Sequence, residues 1–332
     1  MDGAGRSSLS RYDRVTGLRA PWRVYVALIL ASALWASLYT AGKPAVAATG
    51  AIQVTLCRVV LAWACLAPLV ILRGGVRSLL EQLRTHWRGI VLIGLLNFAA
   101  SQLLALSALN FLPASASGVL NNTHPLWVAI GTAVFFPPRQ PLLLVGGAAV
   151  ALMGVVLVFL PDLTFDSSTG GATFTSVGVA LSLAGSGVIA LGTIIGRRVM
   201  RNSDPLAIAA LASGAAIVPM SILTLASGGF APIFDASGGI KALLVYLGIG
   251  CTAMNFALWY YGLKYLPAAA ASAFQYLIAP IGVAIAAVFL REALTLTLLL
   301  GTLCILIGLA ATQIAMARGI YAVVPTRRSR LP

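Results

Sequence analysis

Charge is what this 332-residue chain has least of: Asp, Glu, Lys and Arg make up 9% of it, against 60% hydrophobic residues. Soluble domains carry about 25% charged residues, so this composition excludes an ordinary soluble globule and points to a polytopic membrane protein. Acids are scarcest, 8 against 22 Lys and Arg. Asp2, Asp13, Glu81, Asp162, Asp166, Asp204, Asp235 and Glu292 all fall in tails, loops or span ends. Proton and sodium coupling usually rely on an intramembrane carboxylate, and none is available here. Two histidines without a buried carboxylate cannot close a metal site, so no metal and no cofactor is expected. Cys57, Cys65, Cys251 and Cys304 have no CxxC spacing and read as small apolar residues. The net charge of +14 is spread in short runs between apolar segments rather than along one face, which excludes a nucleic-acid partner.

What the chain does have is long apolar runs. A bilayer core about 30 Å thick takes about 20 apolar residues per helix, and such stretches cover approximately 24–44, 51–72, 89–111, 114–136, 141–160, 174–196, 205–227, 240–262, 267–290 and 293–315. The longest connection, 161–173, is rich in Asp, Ser and Gly and reads as an external linker between halves. Counting Lys and Arg in alternate loops places both termini in the cytoplasm, because that orientation puts eighteen of the 22 basic residues inside. Lys43, Lys241 and Arg291 then face out, and Arg58 lies within a span. The first span, behind a basic lead, is expected to be an uncleaved anchor rather than a signal peptide.

The chain also repeats itself. Ala108-Leu109-Asn110-Phe111-Leu112-Pro113-Ala114-Ser115 is matched 154 positions later by Gly262-Leu263-Lys264-Tyr265-Leu266-Pro267-Ala268-Ala269. Each copy ends one helix, turns at a proline and starts another through small residues, with a further proline, Pro125 or Pro280, near mid-span. Five spans per half force the second repeat to enter the membrane upside down. The expected fold is therefore an all-α membrane protein of ten transmembrane helices, two inverted five-helix repeats, with a substrate site near the midplane where the halves meet. Its parts are a basic cytoplasmic tail 1–23, a first repeat 24–160, the external linker 161–173, a second repeat 174–316 and a basic cytoplasmic tail 317–332.

Several residues resemble the EamA type of the drug/metabolite transporter superfamily. Trp35-Ala36-Ser37-Leu38-Tyr39 followed by Lys43 is similar to that family's first helix, Arg58 sits where its second helix usually carries an Arg, and Leu290-Arg291-Glu292-Ala293-Leu294 resembles the Leu-Gly-Glu-x-Leu join of its last two helices. Phe135-Phe136-Pro137-Pro138-Arg139, at the first-half join, lacks the acid, and Ile189 stands where helix 6 often has an aromatic. The resemblance implies that helices 1–4 and 6–9 surround a central cavity while helices 5 and 10 pack outside it. Gly147 and Gly154 in span 5, and Gly301 and Gly308 in span 10, form small faces suited to packing within the protomer or to a homodimer; a monomer and a homodimer both remain open.

Polar groups inside hydrocarbon must face protein or water. His124, Gln275, Tyr276 and Trp35 fall near the midplane by rise per residue, with Asn97, Gln102, Asn121 and Asn255 within one or two turns. With Tyr39 and Trp259 they are the candidate substrate-binding residues. His124 can hydrogen-bond a ligand or titrate near neutral pH; Asn121 and its neighbour Asn122 can equally tie helices together. Trp259 can stack on substrate or anchor at the interface. Pro125 and Pro280 are candidate hinges or static kinks. Arg58, about 10 Å inside span 2, is expected to reach backbone carbonyls or the outer interface near Lys43, or to attract a substrate carboxylate.

The expected activity is transport, by export or facilitated diffusion, of small metabolites such as amino acids or related amphiphiles across a plasma membrane, a bacterial inner membrane fitting best. A proton-coupled antiporter using His124 is the alternative. An intramembrane serine enzyme built on Gly185-Ser186-Gly187 and His124 is disfavoured, because no second-shell acid is available and GSG more often marks helix packing.

Overall fold

The computed structural model describes residues 21–135, 140–164, 176–201, 203–266, 271 and 273–320. The tails through residue 20 and from 321, the central linker from 165 to 175, Pro137, Pro138 and Arg139, and the turn at Pro267 lie outside the described residues.

Apolar runs of sufficient length become helices because each must satisfy its own backbone in hydrocarbon. Among the described residues eight helices are long and apolar enough to cross a membrane: α1 Trp22–Thr49, α2 Ala51–Arg77, α3 Leu79–Ala108, α5 Pro141–Thr164 (apolar over Pro141–Val158), α6 Ser176–Arg201, α7 Pro205–Ala226, α8 Gly238–Tyr265 and α10 Leu296–Ile320. Besides the single turn Ala231–Phe234, two shorter elements complete the described order. α4 is a broken helix, Ala114–Asn121 followed by His124–Phe135, and α9 is Phe274–Leu290, beginning as a 3-10 turn. Leu142 and Phe289 stand 87% and 75% exposed, which suits a surface facing lipid and not water.

Two repeats are legible in how the helices pack. α1 packs on α8 and α9 as α6 packs on α3 and α4; α2 packs on α8 as α7 packs on α3; and α2–α7, α4–α9 and α5–α10 pair across the same pseudo-twofold axis. The third helix of each half carries a π-helical stretch at a corresponding place, Gly94–Ala100 in α3 and Tyr246–Met254 in α8. Such one-residue overloads widen a helix and often mark functional positions.

α5 and α10 form a pair inside the protomer. A methyl group added to Gly154 would stand 2.6 Å from the Gly301 carbonyl oxygen, and one on Gly147 would stand 2.9 Å from that of Gly308. The glycine faces expected from sequence thus close on each other, letting backbones touch where lipid supplies no hydrophobic drive.

Several sequence expectations change. The first span runs on to Thr49 through Pro44, where Gly50, at φ 93, closes α1 by donating to the Val46 carbonyl (2.8 Å) and starts α2. The Arg73–Arg88 stretch, read as a loop, is helical on both sides of breaks at Gly75 (φ 75) and His86 (φ −125). Leu79, Leu83 and His86 turn inward while Arg77, Glu81, Arg84 and Arg88 are exposed, so the first turns of α3 are amphipathic. Pro125 and Pro280 are not kinks within continuous helices. Each sits in the first turn of a new α-helix, beginning at His124 and Ile278, where the missing N–H costs no helical bond.

Candidate functional site

The break in α4 has a local cause. Asn122 donates its amide to the Gly118 carbonyl at 2.7 Å and Thr123 its hydroxyl to the Leu120 carbonyl at 2.7 Å, side-chain bonds that compete with helix continuation. Pro125 then cannot donate to the carbonyl of Asn121, and the His124 ring hydrogen-bonds the backbone there. The breaks are braced symmetrically: Ser186 of α6 bonds Thr123 across 3.0 Å, and Ser32 of α1, its counterpart by the 154-residue offset, donates to the Phe274 carbonyl at 2.8 Å.

Facing each other, the break in α4 and the 3-10 start of α9 line a recess. Asn122, His124 and Pro125 come from α4, Gln275, Tyr276 and Ala279 from α9, and Ile305, Leu306 and Leu309 of α10 close it. It is wide enough for about one water molecule, so a solute requires the breaks to move apart. Tyr276 donates to the Leu309 carbonyl at 3.3 Å, and Gln313 to the Pro125 carbonyl at 3.4 Å. α10 therefore does more than pack at the periphery.

A second group lies between α1, α3 and α8. Trp35 meets Phe256 and Trp259 edge-on, with centroids 6.0 and 5.9 Å apart, and Phe256 stacks on Phe98 at 5.2 Å and on Tyr260 at 6.0 Å. One turn further along the same faces, Arg58 donates to Gln102 Oε1 at 2.7 Å and to Thr252 Oγ1 at 3.2 Å. Its reach is to side chains of α3 and α8, not to backbone carbonyls or to the Lys43 interface; Thr252 lies buried within the π stretch of α8.

The remaining candidates lie outside both groups. Asn121 donates to the Ser182 carbonyl of α6 at 3.3 Å, and Asn255, fully buried, donates to Cys251 in its own helix at 3.4 Å. Asn97 fills the notch left by Gly192, and the Tyr39 ring lies 3.1 Å from where a Gly118 Cβ would stand. The buried side-chain oxygens of Asn97 and Asn255 have no hydrogen-bond partner among the described residues. Ser186 hydrogen-bonds Thr123, and Gly185 packs against α3 and Asn121, while a Cβ on Gly187 would meet nothing within 4 Å.

At the Lys43 end of the bundle, Glu292 does what sequence reasoning missed. Arg291 adopts a left-handed conformation, φ 54, that ends α9 and turns Glu292 onto the first turn of α4. Its carboxylate accepts from the backbone N–H groups of Ala114 (2.7 Å) and Ser115 (3.0 Å) and from the Ser115 hydroxyl (2.6 Å). Lys43 lies 4.0 Å from the same carboxylate and donates to the Leu112 carbonyl at 2.8 Å. A negative charge at a helix N-terminus is favourable, so one side chain fastens α1, α4 and α9 together across the two repeats. The shared end of Pro113 and the acidic join was the available signal.

The EamA-like transporter family matches residues 22–160 and again 176–313. A probable terminal-alkyne amino-acid exporter of Streptantibioticus cattleyicolor is 26% identical over 80% of this chain and 85% of its own length. An uncharacterized transporter of Archaeoglobus fulgidus is 24% identical over 60% of this chain and 67% of its own, and a WAT1-related chloroplastic protein of Arabidopsis thaliana is 24% identical over 68% and 54%. A crystal structure 19% identical to the chain superposes with a TM-score of 0.59, covering 90% of this chain and 99% of that one, which shows the fold.

Proposed function

The chain belongs to the EamA-like transporter family, and from that premise we propose that this multi-pass membrane transporter moves small metabolites, amino acids or related amphiphiles, by alternating access. The observation that carries the reading is that the break in α4 and the 3-10 start of α9, one from each repeat, bring His124, Asn122, Gln275 and Tyr276 to a single recess. Amides, an imidazole and a phenol beside an aliphatic wall suit a small solute with polar and apolar ends. The relative named as an amino-acid exporter supports the same substrate class.

In this reading the membrane is a bacterial inner membrane, both termini are cytoplasmic, and the Lys43 end faces out. The Glu292 latch then holds the outer side closed. The repeats 24–160 and 174–316 rock against each other about the recess, with Pro125 and Pro280 marking where each broken helix pivots. Discontinuous helices near the midplane serve this purpose in other inverted-repeat transporters.

Flux should need no imposed ion gradient, because the acids Glu81, Asp204, Asp235 and Glu292 all stand at helix ends or between helices. The test is efflux from proteoliposomes loaded with a panel of radiolabelled amino acids and amphiphilic analogues. At equal pH and sodium on both sides, a subset should leave faster than from protein-free vesicles and stop at equal concentrations. Accumulation beyond equilibrium under a pH gradient, abolished in His124→Gln, establishes the proton-coupled antiporter instead. Absence of protein-dependent flux across the panel rejects the substrate class.

A further inference from the structure

Arg58 is 3% exposed, within α2 and away from either end of the bundle. A guanidinium does not deprotonate, so its charge stays wherever the fold puts it. Of its five N–H groups, one meets Thr252 and one meets Gln102, both neutral. Among the described residues the ion pair is Lys43 with Glu292, and no carboxylate reaches Arg58. A buried cation held only by neutral acceptors is costly, far more so than one completed by an anion.

What lies next to it specifies that anion. Gln102 and Phe98 are four residues apart on α3, and Thr252 and Phe256 four apart on α8, so each pair shares a face one turn apart. Phe98 and Phe256 thus stand about one turn from the two side chains that hold the guanidinium, and through them the rings of Trp35, Trp259 and Tyr260 join one apolar cluster. Tyr39 stands within electrostatic range of the same charge. The flanking helices are the two with π stretches, and a π stretch relaxing to α-helix would move Gln102 and Thr252 relative to Arg58.

We infer that Arg58, with Gln102 and Thr252, is a carboxylate-binding subsite, and that the ring cluster takes the apolar tail of the same molecule. The ligand class is a small monocarboxylate with an aliphatic or aromatic side chain. The inference rests on the transporter reading for what brings such a solute into the bundle, and its test is a binding measurement that needs no flux. A guanidinium presents a planar fork that one carboxylate can accept bidentately, which an ammonium cannot copy.

The test uses purified full-length protein and follows its thermal unfolding with L-leucine or L-leucinamide, total chloride held constant. A ligand that binds the folded state raises the midpoint with concentration. L-leucine should raise it and L-leucinamide, which lacks the carboxylate, should not. In Arg58→Met the leucine shift should vanish while the ligand-free midpoint stays equal or rises, because an uncompensated buried charge has gone. In Arg58→Lys the shift should persist at an apparent affinity lower by about tenfold or more, the worth of one charge-assisted hydrogen bond. A wild-type protein that responds equally to leucine and leucinamide, or to neither, overturns the subsite, and that comparison holds even where a variant fails to fold. A leucine shift surviving in Arg58→Met, or a lowered ligand-free midpoint there, makes Arg58 a structural staple. Either result leaves the transporter reading to stand or fall on the flux assay.

Discussion

Glu292→Gln should unlatch the Lys43 end of the bundle. The carboxylate accepts three hydrogen bonds from the first turn of α4 and faces Lys43. Glutamine keeps the shape but loses the charge, and hydrogen bonds to charged groups contribute ~1.5–3 kcal/mol each. Losing about 3 kcal/mol from one of two states shifts their ratio by roughly a hundredfold. Ala116, fully buried behind the latch, reports the change. In a cysteine-free background, Ala116→Cys should react with a membrane-impermeant maleimide at least ~10-fold faster when Glu292 is Gln, and at an intermediate rate when it is Asp. Equal rates in all three proteins would mean that the latch favours neither state.

The recess makes the other large prediction. His124→Ala and Tyr276→Phe should each lower the efficiency of solute efflux by about tenfold to a hundredfold, the effect of losing one or two directed hydrogen bonds to a bound solute. Folding should survive, since His124 bonds the backbone of its own segment and Tyr276 donates to a single carbonyl of α10. The unfolding midpoint and chromatographic profile of each variant are the controls. Normal efflux from both would remove the recess as the solute site, leaving the Arg58 group to be judged by its own binding assay.

The sequence carried the plan of the molecule further than its details. Pro113 and Pro267, in near-identical surroundings, were enough to expect two repeats, because a helix end, a proline and a small-residue start are local features. Apolar length was enough to place most spans. Helix ends and breaks were less legible: Gly50 ends α1 and Gly75 interrupts α2 through positive φ, a conformation that composition does not announce. The interruption of α4 was misread because a lone proline suggests a kink, whereas Asn122 and Thr123 capping their own preceding turn makes a break of it. Candidate site residues were chosen by depth, and depth does not say which way a side chain points. His124, Gln275 and Tyr276 share a recess, while Asn121, at the same level as His124, faces α6. Phe98 and Phe256 were overlooked because an apolar ring in an apolar helix carries no signal until its neighbours are known.

The most direct test of alternating access between the two repeats is to lock the latch. Ser115 and Glu292 stand 2.6 Å apart at their side-chain oxygens, on α4 of one repeat and beside α9 of the other. Ser115→Cys with Glu292→Cys, in a background lacking the four native cysteines, can be joined by a short thiol-specific cross-linker and released by reduction if the linker carries a disulfide. The joined protein in proteoliposomes should move no solute, and flux should return on release to the level of the uncross-linked double variant. Undiminished flux through the joined protein would contradict a mechanism in which these two helices must separate on every cycle.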